Sequence, residues 1–165
     1  MSKLSAEEKA IAVLDACRKA GVMIATAESC TGGLIAGALT DIAGSSDVVD
    51  RGFVTYSNEA KAEMIGVPME LINRVGAVSK EVALSMAEGA MARSRARITV
   101  AVTGVAGPGG GSDEKPVGLV HIASARKGHP TLHRECRFGP LSREAIRHET
   151  VLAALDLVLA NLDAV

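Results

Sequence analysis

The sequence predicts an α/β protein, a three-layer α/β/α sandwich around a mixed, mostly parallel central sheet. Helical and strand-like patterns follow one another in the order αβαβααββα, and helices that cross over between strands favour parallel pairing. The most hydrophobic run, residues 98–102, is typical of a central strand covered on both faces. Two later strand-like runs are joined by a short turn, so we expect one antiparallel pair as well.

The chain begins with a predicted helix, strand and helix. Ser5 and Glu8 have the spacing of a capping box, and apolar residues then recur at helical intervals up to Gly21. A short apolar strand over residues 22–26 leads through a turn that contains two glycines. The helix that follows is predicted over residues 33–42.

A second strand and two short helices come next. Residues 52–57 are rich in residues that favour strands, and residues 58–65 predict a helix with Asn58 as its N-cap and Gly66 at its end. Residues 68–78 predict a turn-rich connection that contains a short helical piece.

The second half begins with a long helix and ends with another. Ser79 opens a helix towards residues 93–95, and its methionines at helical spacing favour core packing over a ligand surface. Residues 117–125 and 131–138 predict an antiparallel pair, of which the second strand alternates apolar and polar residues and is expected near an edge. From Leu141 one apolar stripe predicts the last helix.

Composition limits what the protein can do. The chain has 165 residues, of which 48% are hydrophobic and 22% charged, so we expect a single globular domain over residues 1–165. There is no Trp, one Tyr and two Phe, so stacking of bases on aromatic side chains is hardly available. A net charge of -1 also argues against a nucleic-acid partner. Any phosphate that binds should be a small one in a pocket.

The cysteines and the apolar runs bear on location and partners. Cys17, Cys30 and Cys136 are odd in number and widely spaced, which favours reduced thiols in a cytoplasmic protein. No signal peptide precedes the first helix, and no apolar run reaches membrane-spanning length, so we expect no membrane partner. Long Ala-rich helices lead us to expect a homo-oligomer.

The first candidate site is the turn at residues 27–33 (Ala-Glu-Ser-Cys-Thr-Gly-Gly). A strand that enters a helix through such a turn leaves unpaired backbone N–H groups at the helix start, where they can face an anion or a developing oxyanion. The hydroxyl of Ser29 would lie beside them. The alternative is that Ser29 or Thr31 is only an N-cap and the glycines only form a tight turn.

Lys61 is a candidate general base. In a helix capped by Asn58 it lies in the first turn, where the macrodipole disfavours a cation by roughly 0.3–1 kcal/mol, and burial would also favour the neutral amine. A neutral lysine can accept a proton. The alternative is a solvated lysine paired with Glu63 or Asp47.

Two further segments could complete a crevice. The glycine-rich residues 103–112 follow the central strand, and ligands of open α/β sheets bind beyond the carboxyl ends of strands. This segment lacks the end of a P-loop and no helical pattern follows it, so a mobile connecting loop is the alternative. Arg143, Arg147 and His148 open the last helix, where the arginines either contact an anion or belong to a solvated basic face.

A metal centre is not expected. His129, His133 and Cys136 have spacings that resemble a ligand set, but two of them share one extended strand and no fourth ligand is evident. We therefore predict neither a metal nor a cofactor.

Three ordered motifs together resemble the CinA C-terminal domain family: residues 27–33, residues 51–58 with Lys61, and residues 103–108 with 116–118. The resemblance covers nearly the whole chain. It implies an α/β/α sandwich and a small nucleotide substrate, with hydrolysis of the carboxamide of nicotinamide mononucleotide to nicotinate mononucleotide and ammonia. The activity belongs to pyridine-nucleotide recycling and needs no metal.

The resemblance also implies roles for residues. Ser29 corresponds to the nucleophile, Lys61 to the base, and Tyr56 to a proton-relaying or orienting partner. Many relatives approach the last helix through Gly-Asp-Arg, whereas this chain has Gly-Pro-Leu-Ser-Arg at residues 139–143, so Arg143 stands in for the family arginine. With the patterns above, the residues expected to bind substrate are Thr31, Gly32, Gly33, Thr103, Gly104, Gly107, Arg143 and Arg147.

Two rival functions stay open at this point. The same loops could hold a phosphate in a nucleotide-binding module without chemistry. Alternatively, Cys30 could be the nucleophile of a hydrolase, because a thiol at a helix start can have a lowered pKa. The alternative for Cys30 is that it is a small buried residue of the core.

Overall fold

The computed structural model describes residues 4–164, which form a five-stranded sheet between two layers of helices. The helices are α1 Ala6–Ala20, α2 Leu34–Thr40, α3 Asn58–Ile65, α4 Met69–Val75, α5 Lys80–Ala92 and α6 Arg143–Asn161. The strands are β1 Ile24–Glu28, β2 Val49–Val54, β3 Ile98–Gly104, β4 Leu119–Ser124 and β5 Leu132–Arg137. A short 3₁₀ turn, Ser45–Asp47, precedes β2.

The strand order is β2-β1-β3-β4-β5, which confirms a mixed sheet with β3 at its centre and β5 at an edge. β1 pairs in parallel with β2 and β3, whereas β4 pairs antiparallel with both β3 and β5. The sequence predicted one antiparallel pair, and the structure has two. The reason is that residues 105–118 contain no helix, so the chain turns back beside β3 instead of crossing over.

Helices cover both faces of the sheet, as the predicted sandwich requires. On one face α1, α2 and α6 bury residues such as Leu14, Ile35 and Leu155 against the strands. On the other face α3, α4 and α5 pack on small residues such as Ala101, and Met86 of α5 is completely buried there. The predicted core role of this methionine is confirmed.

Several predicted boundaries are confirmed and others shift. The capping box of Ser5 and Glu8 is present, and α3 and α5 lie where periodicity predicted them. β1 extends to Glu28, and β2 ends at Val54, three residues before the predicted end of that strand. The N-cap of α3 is Ser57, not Asn58, because the Ser57 hydroxyl accepts the N–H of Ala60 at 3.0 Å. Lys61 therefore lies one residue further from the N-cap of α3 than predicted.

Within residues 4–164, no helix combines the length and the apolarity that crossing a bilayer requires.

Candidate active site

The structure brings Ser29 and Lys61 together. Ser29 follows β1 directly, and its N–H donates to the carbonyl of Val102 at 3.1 Å, which holds the residue against the central strand β3. Lys61 lies in α3, which packs on the same face of the sheet as α4 and α5. Its Nζ lies 3.1 Å from the Ser29 Oγ, within proton-transfer distance.

Lys61 is buried, so the alternative of a solvated, paired lysine is wrong. The residue is 1% exposed, and within residues 4–164 its ammonium forms no ion pair with Glu63 or Asp47. Burial lowers the pKa of Lys61 below its ordinary value, while the nearby side chains of Cys30 and Glu59 oppose that shift. Desolvation therefore favours the neutral amine that a general base requires.

Tyr56 contacts both Ser29 and Lys61 through its backbone carbonyl. Its carbonyl oxygen lies 3.3 Å from Lys61 Nζ and 3.5 Å from Ser29 Oγ, and accepts from both. The phenol hydroxyl instead accepts a hydrogen bond from Arg143 at 3.1 Å, and the residue as a whole is 61% exposed. Of the two roles expected for Tyr56, the geometry supports orientation of the amine by the carbonyl.

The helix start after Ser29 is occupied by a side chain of the protein itself. The Glu28 carboxylate is completely buried and accepts the Thr31 hydroxyl at 2.6 Å and the N–H groups of Ile35 and Ala36 at 2.8 and 2.9 Å. The expectation that these helix N–H groups face a ligand is therefore wrong. The Thr31 side chain is also completely buried, so its hydroxyl does not reach substrate.

The turn itself retains free donors. The N–H of Gly32 donates to the carbonyl of Ser29 at 3.0 Å, so this donor is not available to an oxyanion. Throughout the part of the chain that the structure describes, the N–H groups of Thr31 and Gly33 have no acceptor. The predicted set of donors at residues 31–33 thus narrows to two.

The two arginines of α6 lie one turn apart and contact different loops. Arg143 donates to the carbonyl of Gly107 at 2.8 Å and to the Tyr56 hydroxyl. Arg147 donates to the carbonyls of Cys30 and Thr31, each at 3.1 Å. Both depart from a solvated basic face. Arg147 is absent from the lining of the cleft described next, and its Nε and Nη2 bind the backbone of the turn, so this geometry does not support the expected contact of Arg147 with substrate.

A cleft of about 310 Å³ opens above Ser29, at the carboxyl ends of β1 and β3, where the strand order predicted a crevice. Its volume is at the lower end of the range usual for small-molecule sites. Of the residues expected at the site, the cleft is lined by Ser29, Tyr56, Lys61, Thr103, Gly104, Gly107 and Arg143. The expected residues outside its lining are Thr31, Gly32, Gly33 and Arg147.

A model of the CinA C-terminal domain matches residues 6–162. The chain belongs to the CinA C-terminal domain family. It is 51% identical over 141 residues to the nicotinamide-nucleotide amidohydrolase PncC of Escherichia coli strain K12, covering 85% of this chain and 84% of that protein. A putative competence-damage inducible protein of Acetivibrio thermocellus is 53% identical over 137 residues, 83% of this chain and 33% of that longer protein.

Solved structures agree with this membership. The competence/damage inducible protein CihA from Agrobacterium tumefaciens has a TM-score of 0.93 at 56% identity, over 99% of each chain. The predicted sandwich is confirmed by this CinA-superfamily structure, and the predicted amidohydrolase class is confirmed by the curated relatives.

In this CinA-family cleft, two of the predicted glycines have packing roles, Gly104 at the end of β3 and Gly107 in the loop after it. A Cβ on Gly104 would lie 2.6 Å from a Val120 methyl group, and one on Gly107 would lie 2.6 Å from the side chain of Val117. Thr103 is buried, and its hydroxyl donates to the carbonyl of Ala77 at 2.9 Å. In the loop itself, the N–H of Val105 donates to the carbonyl of Leu119 in β4 at 2.9 Å, so the start of the loop is held beside that strand, which disagrees with a freely mobile connection.

The cysteine and histidine alternatives receive little support. Burial raises the pKa of the Cys30 thiol to about 11, which disfavours the thiolate that a cysteine nucleophile needs. His133 contacts His121, with their ring nitrogens 2.9 Å apart, and not the other two members of the set that was considered as metal ligands and rejected. Within residues 4–164, no group of three or more His, Cys, Asp or Glu residues is arranged to hold a metal.

The residue that sequence reasoning missed is Glu28. Glu28 lies in the predicted turn at residues 27–33, where no pattern in the sequence assigned a role to its carboxylate. The available signal was its place shortly before a helix start, where an acidic side chain can satisfy unpaired N–H groups.

Proposed function

We propose that this protein hydrolyses the carboxamide of nicotinamide mononucleotide, releasing nicotinate mononucleotide and ammonia, with Ser29 as nucleophile and Lys61 as general base. The observation that carries the proposal is the buried amine of Lys61, 3.1 Å from the Ser29 hydroxyl oxygen. The substrate is transferred from the amidohydrolase PncC of Escherichia coli, whose name specifies nicotinamide nucleotide.

The first step is acylation of Ser29. Lys61 Nζ lies 3.1 Å from the Ser29 oxygen and 3.3 Å from the Tyr56 carbonyl. For the attack, the neutral amine keeps one N–H on the Tyr56 carbonyl and turns its lone pair towards the Ser29 hydroxyl. The Ser29 oxygen attacks the carboxamide carbon while its proton passes to Lys61. Free backbone N–H groups of the turn, of which that of Cys30 belongs to a residue in the cleft lining, are the donors for the resulting oxyanion, and loss of one such donor costs about 2.7–4 kcal/mol in barrier height.

The second half of the reaction returns the proton. Protonated Lys61 transfers its proton to the amide nitrogen, the carbon–nitrogen bond breaks, and ammonia leaves. Water then attacks the nicotinoyl ester of Ser29, with neutral Lys61 accepting a proton from that water and returning it to the serine oxygen. One amide and one water thus become one carboxylate and ammonium, with no electron transfer.

We assign the nucleotide part of the substrate to the part of the cleft that is lined by Arg143 and Gly107. Arg143 presents a guanidinium there, oriented by the carbonyl of Gly107 and the hydroxyl of Tyr56. A guanidinium that is held in place recognises phosphate by charge-assisted hydrogen bonds. Thr103 and Gly104 also line this cleft.

The deciding experiment measures ammonia released from nicotinamide mononucleotide by purified protein, with and without a chelator. We expect turnover in wild type, unchanged by the chelator, and no turnover in Ser29→Ala. Normal turnover in Ser29→Ala would refute the nucleophile, and chelator-sensitive turnover would reopen a metal mechanism.

Two further outcomes separate the rival functions. Cys30→Ala should retain activity, because its thiol is protonated by burial; loss of activity with Ser29→Ala still active would support the thiol. Binding of the nucleotide by wild type without ammonia release would indicate a binding module instead of an enzyme.

A further inference from the structure

Glu28 joins the sheet to the helix that follows the nucleophile. Its carbonyl accepts the N–H of Thr55 at 2.8 Å within the extended β1–β2 pairing, while its carboxylate accepts from Thr31, Ile35 and Ala36. A fully buried carboxylate is costly unless its oxygens are satisfied, and here they also face the positive end of α2. Glu28 therefore ties both ends of the Ser29 turn to one rigid strand.

Arg147 holds the same turn from another element. Its guanidinium donates from Nε to the carbonyl of Cys30 and from Nη2 to that of Thr31. The contact is close, because a Cβ on Gly32 would lie 3.3 Å from the Arg147 Nη2. A planar guanidinium that binds two successive carbonyls fixes the orientation of both peptide groups.

Fixing a carbonyl also fixes the N–H of the same peptide. In a trans peptide, the C=O and the N–H point in opposite directions. The carbonyl of Cys30 belongs to the same peptide as the N–H of Thr31, and both carbonyls that Arg147 binds come within two residues of Ser29. The bond from Arg147 to the Cys30 carbonyl therefore fixes the plane of the peptide group that follows Cys30, one residue after the Ser29 hydroxyl.

We propose that Glu28 and Arg147 are positioning residues that hold the Ser29 turn from two sides, keeping the Ser29 hydroxyl in register with the reacting carbonyl. The inference rests on the proposed function for its reaction, and it replaces the substrate contact expected for Arg147. Neither side chain touches the reacting atoms. Both act through the backbone that carries Ser29.

The test uses Glu28→Gln and Arg147→Met. The amide of the glutamine has one oxygen in place of two, so an N–H group faces one of the donors that the carboxylate now accepts. Methionine keeps much of the apolar stem of Arg147 but frees both carbonyls. We expect kcat to fall roughly 10- to 100-fold in each, as for a misplacement on the order of 1 Å, with KM within about twofold of wild type.

Matched controls use the same substitutions elsewhere. Glu8→Gln alters another acidic residue at a helix start, where Glu8 accepts the N–H of Ser5 at 3.0 Å. Arg126→Met removes another arginine that binds a backbone carbonyl, that of Asn161 at the far end of α6, at 2.8 Å. Both controls should keep the kcat of wild type, because neither residue contacts the Ser29 turn.

A second readout does not depend on the nucleotide substrate. A fluorophosphonate labels an activated serine: the Ser29 oxygen forms a bond to phosphorus, fluoride leaves, and the proton passes to Lys61. We expect Glu28→Gln and Arg147→Met to be labelled roughly 10-fold or more slowly than wild type at a temperature where thermal melts show each variant folded. A role in folding alone would leave the labelling rate of the folded variant unchanged.

The double variant adds an internal check. Because both residues hold one turn, the combined loss in kcat should be smaller than the product of the two single losses. Labelling and kcat at wild-type levels in either folded variant would overturn the inference while leaving the proposed function intact. Wild type that is labelled at Ser29 but releases no ammonia would overturn the substrate alone, and slower labelling of the variants would still support the positioning role.

Discussion

Replacement of Lys61 by Met tests the central claim that an amine is buried beside Ser29. The side chain is 1% exposed, and burial lowers its pKa from an ordinary value of 10.5. Between that lowered pKa and 10.5, the unfolded chain binds one more proton at this residue than the folded chain does. Methionine has a similar length and does not titrate, so the variant lacks this difference.

The sign and size of the effect follow from proton linkage. Stability rises with pH wherever the unfolded state binds more protons, by at most about 1.4 kcal/mol per pH unit for one group. The cost of burying a charged Lys61 is therefore complete below its folded pKa and disappears as pH approaches 10.5. The two hydrogen bonds that Met loses, each worth about 0.5–1.5 kcal/mol, add an offset that changes little with pH.

The measurement is urea denaturation of wild type and Lys61→Met at several pH values from about 6 to 10.5, followed by circular dichroism. We expect the free energy of unfolding of wild type, relative to that of the variant, to increase with pH within this range. All other titrating groups are shared and cancel. A difference that stays constant up to pH 10.5 would refute the desolvation of Lys61.

The same titration should govern activity. Because the reaction needs the neutral amine, kcat/KM of wild type should rise with pH through the lowered pKa of Lys61. The inflection of this profile and the bend in the stability difference should coincide. If kcat/KM is flat where the stability difference bends, Lys61 is buried but is not the base.

Three other predictions concern the cleft and the assembly. Gly104→Ala should lower the free energy of unfolding by about 1–3 kcal/mol in urea titrations, because its Cβ would lie 2.6 Å from Val120, whereas Gly109→Ala, with no heavy atom within 4 Å, should change it little. Arg143→Met should raise KM for the nucleotide roughly 10- to 100-fold through loss of charge-assisted hydrogen bonds; an unchanged KM would place the phosphate elsewhere. Light scattering should give a multiple of the single-chain mass, and a monomer would contradict the expected homo-oligomer.

Features that depend on residues close together in the chain could be predicted from the sequence, whereas features that depend on distant segments could not. Helical periodicity and caps were readable because they depend on residues three or four apart, as for Ser5 and Glu8. The cap of α3 was misplaced by one residue, since Ser57 and Asn58 are both good caps and the end of β2 decides between them. The second antiparallel pair was missed because it depends on how residues 105–118 return to β3.

The site divides in the same way. Ser29, Lys61 and Arg143 were identified because their motifs are ordered along the chain and resemble the CinA C-terminal domain family. The roles of Glu28 and Arg147 were not readable. Glu28 was not expected at the site, and Arg147 was expected to bind substrate. In the structure Glu28 accepts N–H groups at the start of α2, and Arg147 donates to carbonyls of the Ser29 turn.

The sequence by itself determined the alternation of helices and strands, the family and the candidate nucleophile and base, because these depend on local spacing and on ordered motifs. Only the tertiary structure decided which charged groups face the cleft. Packing of α6 against the turn at residues 29–33 commits Arg147 to the backbone and leaves Arg143 at the rim. The burial that lowers the pKa of Lys61 likewise arises from elements distant in the chain, which no local pattern reports.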